Sequence, residues 1–160
     1  MQSGGSVARV RNCLLPLDLY YRVEEHLWVR AEEDGTVTVG MTDVAQTTAG
    51  RVLVVTFRPL GRHYARDRPV AVLESGKWLG PVRAPVSGEL VAVNPALLRE
   101  PDLVNRSPYR RGWIVRLRPS AWEQEVGLLQ SGPEAVEAYE RYMGERDLDD
   151  CVHCEGYELP

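Results

Sequence analysis

Of nineteen basic residues only one is a lysine, Lys77, and it sits in "AVLESGKWLGPVRAPVSGELVAV" between two apolar runs. An arginine would hold a charge there equally well and stays protonated, whereas a lysine amine can lose its proton and form an amide. The residue type therefore points to acylation by another enzyme. The plainer explanation, an arginine-rich chain with one soluble loop lysine, fits that stretch equally well, so the surrounding elements must decide.

The other reactive side chains are Cys13, Cys151, Cys154, His26, His63 and His153. "CVHC" at 151–154 has the spacing of a redox motif, yet such motifs depend on a helix N-terminus or nearby cations to lower a thiol pKa, and this tail is acidic. As a zinc site it offers Cys151, His153, Cys154 and the distant Cys13, short of a four-ligand pattern, so no metal is expected. A spacer is the simpler expectation. "PVSGE" lacks the Gly-x-Ser-x-Gly nucleophile elbow, and the three histidines lie in unrelated contexts, which argues against an independent enzyme with its own nucleophile and base.

A chain of 160 residues with 44% apolar content has room for one domain and a substantial core. A formal charge of −4 argues against a phosphate backbone as partner and is compatible with docking onto basic protein surfaces. The N-terminal apolar patch is interrupted by Pro16 and Asp18 before it becomes a signal-peptide core, and no later run has the length to cross a bilayer. A cytoplasmic protein is expected, and an odd cysteine count is consistent with a reducing compartment.

The elements that would position Lys77 are mostly short strands. Residues 1–20 read as an irregular N-terminal arm. In "LWVRAEEDGTVTVGMT", Asp34-Gly35 separates two strand-like runs as a hairpin turn. Thr42 as N-cap and Gly50 as stop bound a short helix, and "RVLVVTF" follows as a buried strand. "VAVLE" and "GELVAV" are strands flanking the lysine loop and the "APVSG" turn, and "GWIVRLRP" adds another. The Ser120/Glu123 and Ser131/Glu134 pairs have capping-box spacing ahead of two short amphipathic helices. The domain is expected over 21–146, with 147–160 an acidic, mobile, cysteine-containing tail.

From His26 to Leu117 the chain resembles the glycine cleavage H-protein family, a branch of the lipoyl domains. The resemblance rests on "HLWV", "GTVTVGMTDVAQ", "GRVLVVTF", "ESGK", "APVSGEL" and "LVNRSPYRRGW", which agree in order and spacing. It implies a mainly β fold, a lipoyl-type barrel-sandwich hybrid of two small sheets with peripheral helices and the lysine at a hairpin tip. It also implies lipoic acid in amide linkage on Lys77, carried between partner active sites by a subunit with no catalytic group of its own. Glu74 and Gly76 precede that position, Trp78 follows it, and His26 matches a family position near the arm.

The family commonly has Val before the lysine and Ala-Ala-Ser after it, whereas here Gly76 precedes it and "WLGPV" follows. An exposed Trp78 would then serve partner docking or cradle the arm. Biotin carriers typically flank their lysine with methionines, whereas Gly76 and Trp78 flank it here, which argues against that cofactor. The loop is more similar to the lipoate-binding branch of bacterial sulfur oxidation, which implies a heterodisulfide-reductase-like complex as partner, with glycine cleavage enzymes as the competing set. A lipoate ligase or lipoyl transferase/synthase would attach the group. The tail cysteines could exchange with the reduced arm. A barrel that has lost its cofactor is the remaining alternative class.

Overall fold

The computed structural model describes residues 6–160. Strands β1 (Val7–Val10) and β2 (Cys13–Pro16) pair as an antiparallel hairpin whose turn residues, Arg11 and Asn12, both take positive φ angles, 48° and 65°. Over residues 6–20 the expected irregular arm is thus ordered, while its residues 1–5 lie outside the described residues. Every residue of β2 is buried, because "CLLP" has no polar side chain to keep at the surface.

Strand β3 (Tyr20–Arg22) leads through a 3₁₀ turn into β4 (Leu27–Ala31), and the Asp34-Gly35 turn returns the chain as β5 (Val37–Met41). Gly35 has φ 87°, and the Asp34 carboxylate accepts from the Thr36 amide at 3.0 Å. Helix α1 (Asp43–Ala49) is capped by Thr42, whose hydroxyl accepts from Ala45 N, and it stops at Gly50, φ 76°. Then come β6 (Val52–Phe57), β7 (His63–Tyr64), β8 (Pro69–Ser75), β9 (Leu79–Arg83) and β10 (Gly88–Val93). The chain continues as α2 (Leu103–Arg106), β11 (Val115–Pro119), α3 (Trp122–Glu125), β12 (Gln130–Ser131) and α4 (Gly132–Glu145).

Among the described residues three sheets result, of two strands (β1-β2), seven (β12-β3-β4-β5-β11-β10-β7) and three (β6-β8-β9). The lysine turn joins β8 to β9, and "GELVAV", expected beside it, belongs to the seven-stranded sheet. The two larger sheets share one core: Val29, Val39, Leu90 and Leu117 from one meet Val55, Ala71, Leu73 and Val82 from the other. The architecture is mainly β, as the resemblance implied, with the seven-stranded sheet open at β12 and β7.

A second core lies under α4, where Tyr139 and Met143 meet Tyr21, Trp28 and Leu15. Gly40 faces Trp28 so closely that a Cβ there would fall inside the indole. The tail is docked, contrary to the expected mobility. Cys151 forms a disulfide with Cys13, its amide donates to Arg11 O at 2.8 Å, and Arg111 pairs with Glu158 at 2.6 Å.

Candidate functional site

The turn between β8 and β9 is built on Ser75. Its amide donates to Trp78 O at 2.8 Å, closing the turn, and its buried hydroxyl donates to Ala49 O at 2.6 Å, at the end of α1. The Lys77 amide donates to the same hydroxyl at 3.3 Å. The base of the turn is therefore pinned to a helix while Lys77 itself is exposed. Its side chain runs over Gly50, where an added Cβ would lie 3.0 Å from Lys77 Cε. Gly76 is exposed, its φ lies outside the left-handed region, and a Cβ there would meet nothing within 4 Å.

Trp78 is half-buried and folds back onto its own strand, over Gly80, where no side chain would fit beneath the indole. The expected free aromatic beside the arm is corrected accordingly: the indole covers a strand and walls a cleft. That cleft, about 340 Å³, is lined by Leu27, Met41, Ala45 and Val82 as well as Trp78 and His26. His26 closes the 3₁₀ turn with φ 56°, stacks on Tyr139 at 6.1 Å and meets the edge of Tyr142 at 5.1 Å. Burial, reinforced by Arg146, holds His26 down to about 4 against the opposing pull of Glu24, so the ring is neutral at pH 7. Its Nδ1 is buried and has no hydrogen-bond partner among the described residues.

Glu74 is exposed and pairs across the sheet with Val54 on one side and Leu79 on the other, both exposed. The structure thus brings Lys77, Gly76 and Trp78 together at one turn, with Glu74 on the outer sheet face and His26 in the cleft that Trp78 walls. Ser75 and Gly50 complete the arrangement. Gly50 is legible as a helix stop, whereas nothing in the sequence marks Ser75 as the brace. The His63 ring lies 2.8 Å from Ser120 Oγ on the surface, away from the lysine turn. His153 lies 2.7 Å from Asp43 Oδ2, a carboxylate that also accepts from the Leu14 amide.

The geometry is a single exposed lysine on a braced β-turn beside a largely apolar cleft, open to a covalently attached group. A family model described as "Glycine cleavage H-protein" matches residues 19–142. The chain belongs to the glycine cleavage H-protein family. Glycine cleavage system H protein 3 of Aquifex aeolicus is 44% identical over 153 residues, covering 94% of each chain. H protein 2 of the same organism is 43% identical and covers 89% of each. The H protein of Psychrobacter sp. is 43% identical over 117 residues, 73% of this chain and 92% of its own. The crystal structure of an H protein from Mycobacterium marinum superposes with TM-score 0.68 at 30% identity, over 84% of this chain and all of that one. Glycine cleavage H proteins carry a covalently attached lipoate on a lysine, and this H-protein chain has a single lysine.

Proposed function

We propose that Lys77 bears the lipoate and that the protein is a non-catalytic carrier, presenting the group to the active sites of partner enzymes in turn. The observation that carries this reading is the exposed, solitary lysine on a turn pinned to α1 through Ser75. Lipoate supplies a disulfide that can be reduced, loaded and reoxidised. The chain's own residues anchor it, restrict its base and offer it shelter. The cleft beside the turn fits such a group: its walls are largely apolar, and His26 Nδ1 is a buried polar atom without a partner among the described residues. Glu74, with the exposed Val54 and Leu79 beside it, is assigned to recognition by the attaching ligase, transferase or synthase.

For cargo, the reading is a sulfur intermediate exchanged with a heterodisulfide-reductase-like complex. The charges of the cleft support it. Of its two carboxylates, Glu24 is exposed and Glu25 lies 3.7 Å from Arg83, while His26 is neutral, so an aminomethyl ammonium would gain no desolvated anionic partner. Family membership favours the competing aminomethyl cargo.

Intact mass of the protein from its native host should show a lipoyl adduct that Lys77→Arg abolishes; an unmodified wild type would leave a mere interaction module. The lipoylated protein, given glycine and glycine decarboxylase, should gain little aminomethyl adduct, but should gain sulfur when given a sulfur donor and the heterodisulfide-reductase-like complex. The reverse pattern would establish the aminomethyl carrier.

A further inference from the structure

Helix α1 separates two clefts. Ala45, Thr48 and Ala49 line the first, while Gln46, Thr47 and Gly50 line a second, of about 410 Å³, whose other walls are the charged Arg51, Asp102 and Arg106 and, from the tail, residues 152–155 including Cys154. Lys77 stands at the end of this dividing helix. Its neighbour Trp78 walls the first cleft, and its own side chain lies over Gly50, which belongs to the second.

The tail is held against α1 by several independent contacts. Gln46 Nε2 donates to Val152 O at 2.9 Å, the Val152 amide donates to Thr47 Oγ1 at 3.3 Å, and His153 reaches Asp43. The Cys13–Cys151 disulfide fixes the chain three residues before Cys154. Those two paired cysteines are 0% and 3% exposed, closed to any incoming thiol, whereas Cys154 is free and exposed in the cleft. A disulfide-bearing arm leaving Lys77 along Gly50 would therefore enter the cleft that Cys154 lines.

We propose that the second cleft is a redox seat for the arm, in which Cys154 exchanges with the lipoyl disulfide. The inference rests on lipoate at Lys77. Cys154 gives up its proton and its thiolate attacks one ring sulfur; a Cys154–sulfur bond forms as the ring S–S bond breaks, and the departing sulfur takes up a proton. No electrons are gained or lost overall, and ring closure reverses the step. The exchange holds the arm on the tail side of α1, away from the first cleft. Tethering favours it: both sulfurs belong to one chain, so their encounter proceeds at an effective concentration in the millimolar range.

The test reads that encounter directly. Full-length protein is lipoylated, its adduct verified by intact mass, and Cys154 alone converted to its thionitrobenzoate mixed disulfide with Ellman's reagent. Excess dihydrolipoamide dehydrogenase with NADH then reduces the arm, and release of the yellow thionitrobenzoate is followed. The expected release is first-order and unchanged by dilution, about a thousandfold faster than the same reaction between separate molecules at micromolar concentration. The Lys77→Arg protein, without an arm, sets the background. Release at the Lys77→Arg rate, or in proportion to protein concentration, overturns the seat while leaving Lys77 as the attachment site. A missing lipoyl adduct before the chase overturns the attachment itself.

Discussion

At Gly50 a single residue answers two demands, since its φ of 76° disfavours any side chain and its missing Cβ leaves room for Lys77 Cε. Gly50→Ala should destabilise the protein by about 1 kcal/mol and slow lipoylation by a purified ligase, whereas Gly76→Ala, in open space, should stabilise it by about 0.5 kcal/mol and leave lipoylation unchanged. Urea denaturation and the rate of mass gain check both. His26 contributes through pH. Its folded value, about 4, lies below the unfolded 6.5, so between those limits the unfolded chain binds a proton that the folded chain refuses. This stability is fully present above pH 6.5 and is lost as pH falls towards 4, by on the order of 3 kcal/mol. The wild type should therefore lose more stability than His26→Phe across that window in paired denaturation curves; parallel losses would remove His26 as the cause.

Single elements show how far sequence patterns reach. The Asp34-Gly35 hairpin and the Thr42-to-Gly50 helix were legible because turn and cap chemistry is local. Strand β9 was not, since "LGPVR" carries a glycine and a proline and pairs only through the β8 register. The N-terminal hairpin turns on Arg11-Asn12, which lacks the usual glycine signal. Capping-box spacing at Ser120 and Glu123 misled because long-range partners take nearby groups: the Ser120 amide donates to Ser87 O, and the neighbouring Glu125 accepts from Ser87 N at 2.7 Å. Lys77 stood out by its residue type, while its brace did not, because the Ser75–Ala49 bond spans unrelated segments. Removing that bond in Ser75→Ala should cost about 1 kcal/mol. It should also raise amide exchange in the Gly76–Trp78 turn, with the pairing of β8 and β9 retained.

The whole molecule divides its two cores between two tasks. One, between the larger sheets, fixes the lysine turn; the other, under α4, gathers the N-terminal hairpin and the tail around the Cys13–Cys151 disulfide. That bond spans 138 residues, a separation no spacing rule connects, and its chief effect is to shrink the unfolded ensemble. The paired variant Cys13→Ser/Cys151→Ser should accordingly lose about 2–4 kcal/mol of stability by denaturant titration. The loss should be spatially uneven. Hydrogen exchange should show the Cys151 amide, bonded to Arg11 O, and the β1–β2 ladder losing protection, while the β8–β9 amides keep theirs because Ala71, Leu73 and Val82 belong to the other core. Lipoylation of the variant should then proceed at the wild-type rate. If it slows in step with stability, the lysine turn and the tail fold as one cooperative unit, and Cys154 cannot be moved independently of the site it faces.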